Sequence, residues 1–226
     1  PLGSTRLRLV GLAGSTSGPP FEVDSESGGP PDVATGDGGF GVSVTINSTP
    51  EHRDCASRFV RVASDLTGVT DSGILADGLW GDVKQVDGVW VQAWWNLNWA
   101  TDDVVDACVA RFAAGGDLER PPVCNELGPI SEGASVCGPR LAAGDGGLAL
   151  VGTAYTGHWL FFLRTDLVGS EVGGPTDVFE PHAGYIGPTY DAFNTVWARD
   201  GFAVLFIADQ RPGTTTLYLR YFAAAP

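Results

Sequence analysis

Apolar residues along this chain come in short runs, each ended by a cluster of Gly, Asp, Asn or Pro, and the last stretch shows the unit most clearly. Asn194-Thr195-Val196-Trp197-Ala198 reads as a strand, Arg199-Asp200-Gly201 as a tight turn, and Phe202-Ala203-Val204-Leu205-Phe206-Ile207 as a second strand. Asp209-Gln210-Arg211-Pro212-Gly213 turns the chain again into a third strand, Thr215 to Phe222. Asp-Gly supplies the positive φ that a two-residue hairpin connection needs, so three consecutive antiparallel strands are specified locally. In earlier stretches Gly-containing tails follow the third strand, as in Leu66-Thr67-Gly68-Val69 and Leu167-Val168-Gly169-Ser170-Glu171-Val172, and leave room for a fourth, outer strand. No segment carries the apolar period of a long amphipathic helix, and none has the ~20 apolar residues that a membrane-spanning helix needs.

The unit repeats. Arg61, Arg111, Arg164 and Arg220 each sit in a short apolar run at successive intervals of 50, 53 and 56 residues, and Arg8, in Leu7-Arg8-Leu9-Val10, precedes Arg61 by 53. Asp37-Gly38, Asp87-Gly88, Asp145-Gly146 and Asp200-Gly201 keep the same beat at intervals of 50, 58 and 55. The second strands, Val89-Trp90-Val91 running on into Ala93-Trp94-Trp95 and Leu148-Ala149-Leu150-Val151, are apolar on both faces. Such strands belong to sheets covered on both sides, since a sheet with one wet face alternates. Repeats of 50–58 residues with four antiparallel strands each, stacked radially, fit a β-propeller. A β-sandwich would not require the fixed period.

The stretch Trp197-Ala198-Arg199-Asp200-Gly201-Phe202-Ala203-Val204, with Asp209-Gln210-Arg211-Pro212-Gly213 and Thr216-Leu217-Tyr218-Leu219-Arg220 after it, resembles the β-propeller repeats of secreted and surface-anchored bacterial proteins. The resemblance is good over residues 194–222 and partial in the other copies, whose Asp-Arg turn is replaced. It implies a fold and carries no catalytic signature. The expected architecture is therefore all-β: one four-bladed propeller over residues 5–226, with residues 1–4 read as the remnant of a purification tag. Thr5 to Leu12 is the expected clasp, pairing beside Thr215 to Phe222 to close the ring. The rival is a fragment of a larger propeller, or a ring completed by a second chain.

Charge and cysteines narrow the class. Thirteen basic against twenty-seven acidic residues give a formal charge of −14, which repels nucleic-acid backbones and anionic membrane surfaces. Four cysteines, an even number, suit disulfides in an oxidising compartment and hence a secreted, periplasmic or cell-surface location. Of the three possible connectivities, Cys124–Cys137 with Cys55–Cys108 is the expected one: the former flank a proline-rich loop, and the latter each precede an arginine strand. Methionine is absent, so the expected parent is a longer gene product, with this domain a monomeric part of it.

In a propeller whose Asp-Gly turns lie on one face, the longer connections collect on the other, with all three histidines (His52, His158, His182) and Trp99, Asp102, Asp103, Tyr185 and Tyr190. Trp99, Asp102, Asp103, His158, His182 and Tyr185 are the candidate ligand-binding residues, with Trp99 suited to stacking on a sugar ring. Trp90, Trp94 and Trp95 read instead as blade packing. The histidines lack metal-ligand spacing, so no metal or cofactor is expected. Asp102, Asp103 and Asp106 have the hard oxygens for calcium, although a solvated acidic loop is the plainer reading. Catalytic motifs are lacking, including a nucleophile elbow, a phosphate-cradling loop, a zinc motif and a dinucleotide fingerprint. The expected function is an extracellular module that binds a glycan or protein. The alternatives are a polysaccharide hydrolase of propeller fold, whose paired carboxylates sequence alone does not show, and a structural spacer.

Overall fold

The computed structural model describes residues 3–10, 16–27, 29, 31–46, 55–97, 104–129, 137–154, 159–179, 186–211 and 214–223. These residues hold seventeen strands and no helix. The strands β1 (Gly3–Val10) and β2 (Thr16–Ser27) form an N-terminal hairpin. β3 (Asp32–Gly36), β4 (Gly39–Ile46), β5 (Ala56–Ala63) and β6 (Val69–Asp77) make the first blade. The second is β7 (Leu79–Val86), β8 (Val89–Leu97), β9 (Val104–Phe112) and β10 (Val123–Pro129). The third is β11 (Cys137–Gly144), β12 (Gly147–Ala154), β13 (Trp159–Thr165) and β14 (Thr176–Phe179). A fourth sheet holds three strands, β15 (Ile186–Ala198), β16 (Gly201–Arg211) and β17 (Thr214–Ala223). Every pairing is antiparallel, and the fold is a β-propeller with one blade per repeat.

The hairpin turns sit where the Asp-Gly echo places them in three blades. At Asp87 and Gly88 both turn residues have positive φ, 50° and 79°, as a type I′ connection requires. In the fourth blade the turn falls one residue earlier, on Arg199 and Asp200, with Arg199 at φ 60° and Gly201 already paired to Ala198. The arginine echo slips too. Arg61, Arg111 and Arg164 face Gly41, Val91 and Ala149 in equivalent register, whereas Arg220 faces Val204, one position off. A one-residue slip sends a side chain to the opposite face of the sheet. Arg220 accordingly reaches back to the carbonyls of Asp177 and Val178 in the third blade, at 3.0 and 2.7 Å. Arg111 reaches forward to the carbonyl of Leu167 at 3.0 Å and pairs with Glu119 at 3.2 Å. Arg111 and Arg220 thus tie neighbouring blades together.

Four apolar layers separate the sheets. Phe59, Trp90, Trp94 and Phe112 fill the gap between blades one and two, with Phe59 stacked on Phe112 at 4.1 Å. Val91, Ala93, Trp95, Leu148, Leu150 and Leu163 fill the next. Phe162, Phe193, Phe202 and Val204 close the third gap, where Phe162 stacks on Phe222 at 4.0 Å. Trp90, Trp94 and Trp95 are packing residues, each 1% exposed or less. The fourth layer lies on the far face of the first blade, where Leu7, Phe21 and Val23 of the hairpin cover Val42, Val44, Val60 and Val62.

Two expectations are corrected. β1 pairs with β2, and β2 meets β4 through Ser27 and Ile46, so among the described residues the N-terminal strand does not lie beside Thr215 to Phe222. The reason is local: Gly3–Val10 is followed closely by a second strand, and the hairpin they form covers the apolar face of its own sequence neighbour. The disulfide joins Cys108 to Cys124, which replaces both expected pairings, Cys124–Cys137 and Cys55–Cys108. Cys108 and Cys124 stand opposite one another on β9 and β10, with Cα atoms 4.0 Å apart. That is close to the spacing of a directly opposed, non-hydrogen-bonded pair, about 4.5 Å. Cys55 and Cys137 lie elsewhere, at the entry to β5 and the start of β11.

Candidate active site

The innermost strands carry an acidic pair at one repeat interval. Asp32 stands five positions before the first hairpin turn residue, Asp37, and Asp82 five before Asp87. Their cross-strand partners, Ser43 and Ala93, are likewise equivalent. Both side chains point toward the following blade, and each accepts a hydrogen bond from the inner-edge backbone there. Val83 N donates to Asp32 Oδ2 at 3.2 Å, and Leu141 N donates to Asp82 Oδ2 at 2.6 Å. An inner strand has no neighbour on its axial side, so these N–H groups would otherwise be orphaned. The device stops at the third blade, whose equivalent residue, Arg140, has nothing to accept with. In the fourth, Thr195 N is taken instead by the Oδ1 of Asn194, the equivalent residue of its own strand, at 2.8 Å.

Asp82 is 2% exposed. Its Oδ1 accepts from Lys84 Nζ at 2.7 Å, and the lysine side chain, two residues along the same face, is 41% exposed. Burial pushes the Asp82 carboxyl up to about 7, helped by a side-chain hydrogen bond to Asp32 and by that neighbour's charge. Lys84 and the Leu141 N–H pull it the other way and do not win. The Asp82 carboxyl therefore keeps its proton to about neutral pH, with Asp32 beside it. Asp32 is the half-buried member of the pair. Behind it lies a polar layer: Gln92, fully buried, donates from Nε2 to Ser43 Oγ at 2.6 Å and to Ser57 Oγ at 2.9 Å. Gly81 lets β7 approach this layer, because a Cβ there would collide with Ser43 Oγ.

The residues singled out from the sequence fall differently. Trp99, Asp102, Asp103, His158, His182 and Tyr185 lie outside the described residues, as does His52. Asp106, grouped with the acidic loop, is instead in β9 between Asn96 of β8 and Glu126 of β10. Burial, and then the charge of Glu126, raise its carboxyl. Asp32 and Asp82 were not among the candidates. The signal that finds them is the spacing Asp-x-x-x-x-Asp-Gly in two successive repeats, 50 residues apart.

No protein-family model matches the chain, and no curated protein matches it. Among solved structures it is similar to an α-L-arabinofuranosidase from Lactobacillus brevis, with a TM-score of 0.52 and 13% identity over 92% of this chain and 78% of that one. A thermostable family-43 glycoside hydrolase matches with a TM-score of 0.53 and 12% identity, over 88% of this chain and 72% of that one. The catalytic domain of the Coprinopsis cinerea GH62 α-L-arabinofuranosidase gives 0.53 and 12% identity, over 98% and 74%. At these identities the likeness establishes the propeller fold.

Proposed function

We propose that this chain is a propeller hydrolase acting on an arabinose-containing polysaccharide, rather than a module that only binds one. The feature that carries the reading is Asp82, 2% exposed on the inner strand β7 beside Asp32, where burial holds its carboxyl up to about 7, so that it keeps a proton an ordinary carboxyl has lost near neutral pH. Glycoside hydrolysis needs a carboxylic acid that is still protonated at working pH to protonate the departing glycosidic oxygen. The names of the structurally similar proteins point to the same substrate class.

In this reading Asp82 is the store of the proton that reaches the glycosidic oxygen, Asp32, the more exposed of the two, stands beside it toward the substrate, and Lys84 opposes the hold on that proton. The C–O bond to the leaving sugar breaks as that oxygen takes the proton. A water adds to the sugar carbon, and its own proton passes to a second carboxylate. That second group stands about 5–10 Å from the first in such enzymes. Asp32 and Asp82 act on one another's charge, so they supply one half of the machinery together. Trp99, Asp102, Asp103, His158, His182 and Tyr185 are proposed as ligand-binding residues, with Trp99 suited to stacking on a sugar ring. A disulfide and carbohydrate chemistry both suit a secreted protein.

The test is sugar release from arabinan, arabinoxylan and xylan, for the wild-type chain and for Asp32→Asn and Asp82→Asn. Turnover on an arabinose-containing substrate that both variants lose supports the assignment. Binding of a glycan without release of sugar by the wild type returns the chain to the binding-module reading.

A further inference from the structure

The fourth blade presents an apolar face that every other blade buries. Leu205 is equivalent in register to Ser43, Ala93 and Val151, which are 2%, 0% and 0% exposed, yet Leu205 is 42% exposed. On the same face stand Val196 of β15 and Leu217, Leu219 and Tyr221 of β17, at 53%, 62%, 70% and 46%. The register sets Leu205 opposite Leu219, with Leu217 and Tyr221 flanking Leu219 at alternate positions of β17. The slip that turns Arg220 toward the third blade also removes the only charge of β17's central run from this face. β17 is moreover a sheet edge, since this sheet has three strands where the other blades have four among the described residues.

We infer that this face is a docking surface for a second copy of the chain, meeting its counterpart across a two-fold axis. The far end of the stack of blades cannot be the partner, because the N-terminal hairpin covers it and shows solvent a charged outer surface. There Arg6 and Glu22 form an exposed ion pair at 3.0 Å, and Arg8 is exposed beside them. Leu205, Leu217, Leu219, Val196 and Tyr221 form a cluster on one face, whereas other exposed large apolar residues, such as Val33 and Val69, lie in another sheet. Such a face meets its own copy isologously and closes, where a head-to-tail contact would grow a fibre. Two chains of formal charge −14 repel overall, but they would meet here mainly on uncharged side chains, with the Asp200 carboxylate, which accepts from the Tyr221 hydroxyl, at the edge. The five residues offer on the order of 500 Å² of surface per copy, at the upper end for a monomer's largest apolar patch, and pairing two brings the total to about 1,000 Å², the size at which specific interfaces begin. In this proposal the chain pairs with a copy of itself, where the sequence reading expects a monomeric domain.

Sedimentation equilibrium and light scattering over a wide concentration range, at low and high salt, decide the matter. The expected mass rises with concentration from 23.6 kDa to twice that value, with tighter association at high salt as the charge repulsion is screened. Leu219→Glu and Leu217→Glu, both at exposed positions, are expected to stay monomeric with an unchanged circular dichroism spectrum, while Arg8→Glu on the hairpin leaves the dimer intact. A wild-type chain that stays monomeric at hundreds of micromolar overturns the inference. So does a dimer that survives both leucine variants, or growth into larger polymers.

Discussion

Replacing Asp82 by Asn should make this protein more stable above neutral pH while removing its proposed activity. Asn keeps an oxygen for the Leu141 N–H and a donor for Asp32, so it mimics the protonated acid, but it cannot ionise. In the wild type the carboxyl rises from 3.8 to about 7 on folding. A raised carboxyl means that the folded chain keeps its proton where the unfolded chain has released it. Its stabilising share is therefore complete below about pH 4 and falls as pH climbs toward 7 and beyond. At about 1.36 kcal/mol per pH unit, the loss across that window approaches about 4 kcal/mol. For a domain of this size that corresponds to a melting-temperature difference of about 10 °C. Lys84, already 41% exposed, returns to water at little cost when its partner is gone. Calorimetric melting from pH 4 to pH 9 should therefore show the two proteins alike at pH 4, with the variant ahead by roughly 10 °C at pH 8. A variant that melts lower than wild type at pH 8, or that keeps the wild-type slope, would falsify the buried-proton argument.

Other outcomes follow from the same geometry. Lys84→Met removes a charge that opposes the Asp82 proton, so the alkaline limb of a pH–rate profile should move to higher pH. Cys108→Ser paired with Cys124→Ser opens a 16-residue separation, and the melting curve should report a loss of about 3 kcal/mol. Gly144→Ala drives a methyl group into the indole of Trp197, which should cost about 1–3 kcal/mol in denaturant unfolding. Phe21→Asp places a charge in the layer under the hairpin, beside Val42 and Val60, and should both lower the melting temperature and increase dye binding to exposed apolar surface.

Much of the fold is legible in the chain, because a propeller blade is written in local signals. Asp87-Gly88 marks a turn, the doubly apolar run from Trp90 to Trp95 marks a strand covered on both sides, and the recurring arginines mark the period. The fourth blade reads less well for a physical reason: a one-residue slip leaves the words Asp200-Gly201 and Arg220 in place while moving them in register. β16 then alternates buried Phe202, Val204 and Phe206 with exposed Leu205, unlike β8 and β12. The clasp misleads because a strand's edge can pair with any neighbour, and Thr5 to Val10 finds one in its own hairpin. The disulfide depends on which cysteines face each other across β9 and β10, a matter of register that spacing alone leaves open. Sequence patterns point to chemistry at Trp99, His158 and His182, whereas Asp32 and Asp82 lie inside strands. Only their shared phase with the hairpin turns, together with the burial of Asp82, distinguishes them from surface acids.

Carboxyl-labelled aspartate followed by NMR through a pH titration measures directly the proton that Asp82 keeps beside Asp32. The expected result is one aspartate carboxyl that titrates near pH 7 and disappears from the spectrum of Asp82→Asn. A spectrum in which every aspartate in the wild-type protein titrates in the ordinary carboxylate range, with Asp82 ionised at pH 6, would contradict it.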